Sequence, residues 1–491
     1  MLRKLLILSA AVLVVTVITG GVLYQFFGMR IVPRGRIPEI EFVELPEAQA
    51  ERVRRHRDAQ RAETVSASDD AATTQPAEPI PAEPSDGEER DVRGPATAPP
   101  APVQAKPYWT DFRGPLRDGV YREQAIRSDL SAALTPLWKQ PVGGGYASFA
   151  VAHGRAFTIE QRGREEVVAA YDVATGRELW TNAWAAEFRE SMGGDGPRAT
   201  PTWHEGHVYA LGATGEFRVL DEASGKVRWR TNILTDNGAP NLDWGMAASP
   251  LVIGDVVVVV PGGPNGRSVV AYDRLSGARK WSALSDQAAY VSPMLVTLGG
   301  VQQILVFTAT RLVGIPVSGG DALWEYPWRS EYGINAAQPI SLDGNRIFVS
   351  SSYAGSGAVI EVTGGSDGFK VREIWRNNRM KNQFSSSVVH QGTIYGLDMS
   401  ILAAVDAATG ELKWKGGRYG TGQLLLVGDR LIVLTEDGDL ALVRATPERH
   451  EELVRFDVLD GKTWNVPAIA GGYLLVRNLA EMAAFDLRTS R

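Results

Sequence analysis

The residues of this chain that suit catalysis or metal binding lack the spacing that either chemistry needs. His204 and His207 flank a tight turn in the sequence W-H-E-G-H, between two predicted strands. A spacing of three brings two histidines to one face of a helix, but not around such a turn. His153, His390 and His450 are scattered singly. The histidines therefore predict no metal site.

The absence of cysteine excludes several chemistries at once. With no cysteine among 491 residues, there is no disulfide, thiolate zinc site, iron–sulfur cluster, cysteine nucleophile, c-type haem attachment or lipid-modified N-terminal cysteine. G-x-S-x-G, H-E-x-x-H and P-loop motifs are also missing, and the run P-G-G-P-N-G at 261–266 favours a wide hairpin loop over a phosphate cradle. A formal net charge of −6 leaves no basic surface for nucleic acid. We therefore predict no catalytic residue and no metal ligand.

A repeated unit, rather than a catalytic motif, dominates the sequence after about residue 127. Four segments align without gaps, each with Asp, then Gly four residues later and Trp eight residues later. They are 171–180, 220–229, 272–281 and 405–414. A fifth copy, 315–324, keeps Gly320 and Trp324 but has Pro316 in place of the Asp. Asp bonds the backbone of a turn and Gly tolerates positive φ, so each unit predicts a β-hairpin that ends in a large aromatic residue.

The spacing of these aromatic residues gives the number of repeats. A second apolar strand pair precedes each hairpin, as in 200–213 and 249–262, so each repeat supplies four antiparallel strands, one blade of a β-propeller. The closing aromatics lie about 45 residues apart on average, as one blade requires. They are Trp138, Trp180, Trp229, Trp281, Trp324, Trp375, Trp414 and Phe456. We predict that the seven tryptophans are structural blade locks, since a fixed position in every blade favours packing over cofactor stacking.

The two ends of the repeat region predict how the ring closes. The chain stops within five residues of Asp486, so the last repeat has three strands and lacks its outer one. The segment 137–142 has the outer-strand pattern without preceding strands, so we expect it to complete the last blade and remove the open sheet edges. The predicted fold is therefore all-β, an eight-bladed β-propeller of four-stranded antiparallel blades whose ring is closed by the N-terminal strand. Seven blades are the alternative, because the fifth, seventh and eighth repeats match the unit poorly.

One residue of each predicted blade lies just before the innermost strand, where that strand starts near the axis. These eight residues are Tyr146, Arg198, Trp244, Tyr290, Asn335, Gln383, Gln423 and Trp464. Around one mouth of the central channel, large aromatic, amide and arginine side chains can hold a ligand or a peptide. The alternative is that these side chains only fill a narrow channel.

The first 30 residues predict a membrane anchor. Residues 5–27 form a run of 23 residues without a charge, which is long enough to cross a bilayer. Arg3 and Lys4 before the run favour a cytoplasmic N-terminus. We expect residues 1–30 to form a transmembrane signal-anchor, with a cleaved signal peptide as the alternative.

A linker is predicted between the anchor and the repeats, over 31–107. Residues 66–107 hold nine prolines, and such a segment cannot bury enough apolar surface to order itself. Residues 45–63 are charged and suit a helix, but they have almost no apolar face. We therefore expect 31–107 to be a disordered, partly extended spacer, and 108–491 to form the propeller.

The repeat resembles the tryptophan-docking motif of quinoprotein-type (PQQ-like) β-propellers. Residues 170–180, which read A-Y-D-V-A-T-G-R-E-L-W, match this motif. Residues 109–120 are similar to the W-x-x-F-R-G-P-x-x-D-G-V segment of a bacterial exported subgroup, and 193–201 and 377–387 also resemble that subgroup. The resemblance covers about 108–491 and implies the propeller fold.

This resemblance leaves two functional classes open. One comprises quinone-dependent alcohol and sugar dehydrogenases, and the other is non-enzymatic and includes the propeller lipoprotein of the outer-membrane β-barrel assembly machinery. We expect a binding or scaffold module of the cell envelope, held in the inner membrane with the propeller facing the periplasm or exterior, and an envelope protein or peptide as partner. The alternative is a dehydrogenase with PQQ and Ca²⁺ as cofactors. The lack of cysteine and of chamber-forming inserts favours the binding module.

Overall fold

The computed structural model of the chain describes residues 29–34, 37–42, 44–72, 108–127, 134–365 and 368–489. The predicted anchor run, 5–27, lies outside these residues. Among the residues that are described, no helix is both long enough and apolar enough to cross a membrane.

Five elements precede the first blade in the described chain. Strands β1 (Met29–Arg34) and β2 (Ile37–Phe42) pair as an antiparallel hairpin, and helix α1 follows at Pro46–Ala72. Two short strands come next, β3 (Val120–Tyr121) and β4 (Trp138–Pro141). Both of these strands join blades that are formed much later in the chain.

Eight four-stranded antiparallel blades make up the rest of the described structure, with β3 added to one of them. Blades 1 to 4 are β5 (Ala150–Ala152), β6 (Arg155–Arg162), β7 (Glu165–Asp172) and β8 (Glu178–Ala185); β9 (Thr202–His204), β10 (His207–Leu211), β11 (Glu216–Asp221) and β12 (Val227–Asn232); β13 (Leu251–Ile253), β14 (Val256–Val259), β15 (Val269–Asp273) and β16 (Arg279–Ala283); and β17 (Met294–Leu298), β18 (Val301–Phe307), β19 (Arg311–Pro316) and β20 (Trp324–Pro327). A short helix α2 (Ile233–Asn237) connects blades 2 and 3.

Blades 5 to 8 complete the set and confirm the prediction of eight blades rather than seven. They are β21 (Ile340–Leu342), β22 (Arg346–Ser351), β23 (Ser356–Gly365) and β24 (Gly368–Asn377); β25 (Val388–His390), β26 (Thr393–Asp398), β27 (Ile401–Asp406) and β28 (Leu412–Arg418); β29 (Gln423–Val427), β30 (Arg430–Leu434), β31 (Asp439–Arg444) and β32 (Glu452–Asp457); and β33 (Ala468–Ala470), β34 (Tyr473–Arg477) and β35 (Glu481–Asp486) with β4. Two 3₁₀ turns, Glu331–Gly333 and Ser352–Ala354, lie before and within blade 5.

The repeated Asp and Gly make the turn between the third and fourth strands. In blade 1, the Asp172 carboxylate accepts hydrogen bonds from the Thr175 backbone nitrogen at 2.9 Å and from its hydroxyl at 2.8 Å. Gly176 then adopts a φ of +71°, which a side chain would disfavour. The same carboxylate-to-turn bonding recurs at Asp221, Asp273 and Asp406. This local chemistry explains why the hairpin repeats.

The tryptophan that ends a repeat packs against the turn of the next blade. The Trp180 ring lies over Gly225, where an added Cβ would be 2.5 Å from it, and its Nε1 donates to the Glu222 carbonyl at 2.8 Å. Trp138, Trp229, Trp281 and Trp375 lie in the same way over Gly176, Gly277, Gly319 and Gly410. Trp414 donates instead to the Thr446 carbonyl of blade 7 at 2.7 Å. Each contact joins two neighbouring blades.

Trp324 departs from this pattern in its hydrogen bond, which it makes within its own blade, while its ring belongs to a core cluster of blades 4 and 5. Its Nε1 donates to the Oε1 atom of Gln303 on β18 at 2.6 Å. Blade 5 has a long β23–β24 hairpin in place of the Asp-to-Gly turn, and its turn glycines, Gly365 and Gly368, lie at the far end of that hairpin. The core cluster of Trp324 includes Ile347 and Val349 of β22 in blade 5, so the role of Trp324 as a blade lock stays a prediction.

The last blade takes its fourth strand from the N-terminal side of the repeats. Strand β4 pairs antiparallel with β35, from Glu481 opposite Pro141 to Ala484 opposite Trp138. The inner strand of this blade, β33, also contacts β5, the inner strand of blade 1. The core lies between neighbouring blades. In blade 8 it includes Leu474 and Val476, which alternate along β34.

Helix α1 packs across the seam between blades 8 and 1, although its range falls inside the predicted linker. Val53 is fully buried, and Arg57 is 1% exposed. The Arg57 guanidinium donates to the Gln140 side-chain oxygen at 2.9 Å and to the Pro141 carbonyl at 2.8 Å, both on β4. It also lies 3.4 Å from the Glu178 carboxylate on β8. One buried cation of α1 thus contacts both blades.

The first turns of α1 bind the same seam through polar groups. Gln49 donates to the Val142 carbonyl at 3.0 Å, and Arg52 donates to the Ala480 carbonyl at 3.2 Å. These contacts differ from the predicted disordered linker, and the reason is that polar and cationic side chains carry most of the packing. The absence of an apolar face was therefore no sign that the helix is free. The proline-rich residues 73–107 lie outside the described residues.

Candidate functional site at the channel mouth

Seven of the eight residues predicted at the channel mouth line one cavity of about 720 Å³. They are Tyr146, Arg198, Trp244, Tyr290, Gln383, Gln423 and Trp464. Asn335 does not join them, because it is fully buried and its Nδ2 donates to the Thr308 carbonyl at 2.9 Å. Its chain neighbours Ile334 and Ala336 line the cavity at that position.

Aromatic rings form much of the wall of this mouth cavity. Trp464 stacks on Tyr146 with ring centroids 5.4 Å apart and packs on Phe384 at 4.6 Å. Trp244 and Tyr290 make an edge-to-face pair at 5.9 Å. Burial raises the pKa of the Tyr290 hydroxyl to about 12, so this group stays neutral. The walls thus offer aromatic surfaces of the kind that bind apolar or planar groups, beside the polar side chains of the same cavity.

Four charged side chains line the mouth cavity, Arg198, Arg418, Glu436 and Asp437, and hydrogen bonds within the protein engage Arg198 and Glu436. Glu436 accepts hydrogen bonds from Trp464 Nε1 at 2.9 Å and from the Thr421 backbone nitrogen at 3.0 Å. Arg198 donates to the Gly194 carbonyl at 2.8 Å, and burial lowers the pKa of its guanidinium. These groups position the wall and the rim.

The rim between blades 1 and 2 is held against blade 8 across the mouth cavity. Lys462 donates to the Gly193 carbonyl at 2.7 Å, and its ammonium lies 3.6 Å from the centre of the Trp464 ring. The Tyr146 hydroxyl donates to the same carbonyl. This loop, which contains one of the segments that resemble the exported subgroup, therefore fixes the position of the Trp464–Tyr146 stack.

Two glutamines give the mouth cavity its amide groups. Gln383 donates from Nε2 to the Tyr353 hydroxyl at 3.3 Å. Gln423, at the start of β29, is only 2% exposed, and its Nε2 is 3.5 Å from the Phe384 carbonyl. Its Oε1 is buried and has no hydrogen-bond partner within the described part of the chain.

The segment 108–127 fills the channel below the mouth cavity. Trp109 forms a bridge with Val151 of β5, and β3 runs parallel to β29, the inner strand of blade 7. Phe112, between these two points, lines the mouth cavity. Segment 108–127 therefore contributes Phe112 to the lining of the cavity.

Two buried arginines hold this segment to the inner strands. Arg117 pairs with Asp111 at 2.8 Å and donates to the Ser249 and Pro293 carbonyls, at the entrances of blades 3 and 4, at 3.1 and 2.9 Å. Arg113 donates to the Ser387 carbonyl at the entrance of blade 6 at 2.8 Å, and burial lowers its pKa to about 10. The W-x-x-F-R-G-P segment, which the sequence resemblance singled out, thus has a structural role in closing the channel.

Sequence reasoning missed several residues of the mouth cavity. Tyr353, Ser400 and Glu436 line it from loops between the second and third strands of their blades. In each blade the first strand runs away from the mouth and the second runs back to it, so the loop after the second strand lies beside the start of the first. This alternation predicts which loops reach the mouth. The alternation does not mark Phe112, which comes from outside the repeats and lies in the W-x-x-F-R-G-P segment.

The described residues do not fit a quinone held with Ca²⁺. PQQ carries three carboxylates, and its Ca²⁺ requires several converging oxygen ligands. Within the described ranges, no group of three or more histidine, aspartate or glutamate residues could hold a metal ion. In the cavity, Arg198 and Glu436 are engaged as described above. His204 and His207 pair across the turn between β9 and β10, away from the mouth.

Comparison with known proteins gives the family. The family model described as "Outer membrane protein assembly factor BamB" (PQQ_2) matches residues 164–416, just over half of the chain. BamB of Burkholderia pseudomallei (strain K96243) is 23% identical over 315 residues, which cover 60% of this chain and 74% of the relative.

Solved structures agree on the fold. BamB from Moraxella catarrhalis aligns with a TM-score of 0.52 at 16% identity, over 72% of this chain and 100% of that chain. Quinohemoprotein alcohol dehydrogenase from Comamonas testosteroni aligns with a TM-score of 0.58 at 14% identity, over 78% and 81%. At such identities the likeness shows the propeller alone. The family match goes further, and on it this chain belongs to the BamB-type family of PQQ-like repeat propellers.

Proposed function

We propose that this chain is a membrane-anchored propeller that acts as a binding or scaffold module at the cell envelope and holds its partner at the channel mouth. The observation that carries the proposal is the cavity of about 720 Å³, with aromatic walls contributed by several blades. A concave site that combines aromatic walls with placed polar groups suits a bound ligand or peptide. The relatives named as outer membrane assembly factors support a protein partner.

The proposal includes an anchor in the inner membrane. The 23 uncharged residues of 5–27, with Arg3 and Lys4 before them, support a single span with the propeller on the periplasmic or outer side. The pairing of β4 with β35 supports a ring closed by the N-terminal strand. Carbonate extraction of membranes tests the anchor: the full chain stays in the pellet, and a variant lacking 1–30 is released.

Site-specific photo-crosslinking in the native host tests the mouth. A photoreactive phenylalanine analogue at Tyr353, in the cavity, is expected to trap a discrete envelope partner, which mass spectrometry identifies. The same analogue at Tyr473, which is partly buried at the start of β34 and outside the cavity, is the matched control. The combined change Arg198→Ala and Trp464→Ala should abolish the Tyr353 adduct. Equal adducts at both positions, or an adduct that survives the double change, contradict the proposal.

A PQQ-dependent dehydrogenase is the alternative function, and the resemblance of residues 170–180 to the tryptophan-docking motif of quinoprotein-type propellers is the observation that favours it. The test is to add PQQ and Ca²⁺ to the purified full chain and to follow dye reduction with alcohols and sugars. Reproducible turnover would replace the binding proposal with this alternative.

A further inference from the structure

We infer that the channel mouth faces the membrane that holds the predicted anchor, so that the mouth cavity receives a segment of an integral membrane protein. The inference rests on the proposed function and adds the class of the partner. It follows from where α1 begins on the propeller, from how few residues separate α1 from the anchor, and from the side chains around the mouth.

The first turns of α1 lie on the mouth side of the propeller. The Glu47 carboxylate lies 3.4 Å from the guanidinium of Arg189, which belongs to the rim loop between blades 1 and 2. Gln49 donates to the Leu479 carbonyl, in the loop between β34 and β35, the second and third strands of blade 8. Loops of this kind reach the mouth, as the one with Tyr353 does in blade 5. The helix therefore starts at the mouth face.

The later turns of α1 run down the outer side of the seam, away from the mouth. Arg57 contacts Gln140 on β4 and Glu178 on β8, and both of these are outer strands. Glu178 follows Gly176, which is in the turn between the third and fourth strands, at the opposite face. Only the N-terminal end of α1, the end that leads back to the anchor, is therefore at the mouth face.

The path from the predicted anchor to α1 is short. Strand β1 begins two residues after Phe27, and the hairpin returns the chain to its start because Met29 pairs with Phe42. Helix α1 begins four residues later, at Pro46. This path spans at most about 27 Å. The proline-rich residues 73–107 follow α1 and connect two segments that both bind the propeller, so they add nothing to it. The mouth face is therefore held close to the bilayer.

Exposed side chains around the mouth suit a membrane surface. Tyr332 is 83% exposed and Met192 is 58% exposed, and Met399 is exposed as well. Each of the three lines the cavity or lies within two residues of its lining. Tyrosine is enriched where proteins meet the interface of a bilayer. Leu275 is exposed at the opposite face, so the path of the chain, rather than exposure alone, selects the mouth.

A partner that enters the cavity from this side comes from the membrane. Loops of integral membrane proteins lie in the gap between the bilayer and the propeller, and confinement to the same membrane raises their effective concentration at the cavity. The aromatic walls and placed polar groups of the cavity suit a peptide segment. The partner is therefore an integral membrane protein.

Fluorescence quenching tests which face lies on the membrane. The chain has no cysteine, so one introduced cysteine labelled with bimane reports a single position. The full chain is placed in nanodiscs whose phosphatidylcholine carries a nitroxide on the headgroup. Labels at Met192→Cys and Tyr332→Cys, three blades apart around the mouth, should lose about half of their emission, since the tether holds this face near the headgroups. Labels at Ala174→Cys and Leu275→Cys, in exposed turns at the opposite face, are the matched controls and should keep theirs.

The length of the tether gives a second measurement in the same nanodiscs. An insert of about 30 Gly and Ser residues after Val43 adds roughly 30 Å to the path and should relieve the quenching. The same insert after Gly87, within 73–107, is the matched control and should leave the quenching unchanged. Quenching of the opposite-face labels, of Met192→Cys alone, or of none of the four overturns the inference. Equal relief by the two inserts also overturns it.

The crosslink at Tyr353 decides the class of partner. We expect the trapped protein to carry a membrane-spanning segment. A partner without such a segment, or an adduct with lipid, overturns the inference but leaves the binding function in place. No discrete adduct contradicts the proposed function and, with it, the inference. Release of the full chain by carbonate contradicts the anchor and so overturns the inference as well.

Discussion

Replacing Arg57 with methionine tests whether helix α1 is a fixed part of the propeller body. The guanidinium makes hydrogen bonds of 2.9 and 2.8 Å to Gln140 and Pro141, an ion pair of 3.4 Å with Glu178, and lies 5.0 Å from the centre of the Tyr171 ring. Methionine keeps part of the apolar contact but none of the polar ones. Hydrogen bonds of charged groups and buried ion pairs lose a few kcal/mol when one partner is removed, so we expect α1 docking to weaken by about 3 kcal/mol. Opening of the helix then becomes roughly a hundredfold more frequent.

Hydrogen-exchange mass spectrometry of the full chain measures this opening. Peptides from 46–63 should exchange about a hundredfold faster in Arg57→Met, while peptides from blade strands keep their protection. Arg54→Met is the matched control, since Arg54 is on the same helix but is exposed and pairs with Glu51 of that helix. Equal exchange of α1 in the two variants, or an α1 that is already unprotected in the unaltered chain, would refute the reasoning.

Three further predictions concern the blades and segment 108–127. Burial raises the pKa of the Glu166 carboxyl to about 7, above its ordinary value of 4.5, so between these pH values the folded protein keeps a proton that the unfolded chain loses. The free energy of unfolding should therefore fall by roughly 2–3 kcal/mol between pH 5 and 8. In urea unfolding, Glu166→Gln should flatten this pH dependence. Gly225→Ala places a side chain at a φ of +66° and against the Trp180 ring, so it should lower the free energy of unfolding by about 3 kcal/mol. Gly206→Ala, at a φ of +76° but with open space around the new side chain, should lower it by about 1 kcal/mol. Equal losses of stability in thermal unfolding would contradict the packing of Trp180 on Gly225. Arg117→Met should destabilise the body by about 3–5 kcal/mol in urea unfolding, and an unchanged midpoint would show that the channel segment is not bound by this residue.

The blades could be predicted from the sequence because their determinants are local. Asp172 bonds the turn that follows it, and Gly176 supplies its positive φ, so the same residues recur wherever the same hairpin forms. The start of each inner strand follows from that count, which is why seven of eight mouth residues line one cavity. Asn335 escapes the pattern because its amide bonds the Thr308 carbonyl instead of facing the axis.

Contacts between distant parts of the chain could not be predicted in this way. Arg57 meets Gln140 across 83 positions, and Arg113 meets Ser387 across 274. Both arginines bond carbonyl or amide oxygens, which every strand or loop offers, so no pattern in the sequence marks their partners. The periodicity of apolar residues is the main sequence signal for packing, and it does not predict a contact that an arginine side chain makes.

The position of α1 in the chain determines how a pull on the N-terminus is carried. Tension applied before residue 46 reaches the Gln49, Arg52 and Arg57 contacts before it reaches β4, which is attached to blade 8 by only four residue pairs. Because α1 lies across the seam between blades 8 and 1, these hydrogen bonds are pulled in shear and bear the force together. Without α1, the pull would act next on segment 108–127, which Arg113 and Arg117 hold to the inner strands, and only then on β4. A propeller held from its N-terminal end can therefore bear tension without force on the pairing between β4 and β35.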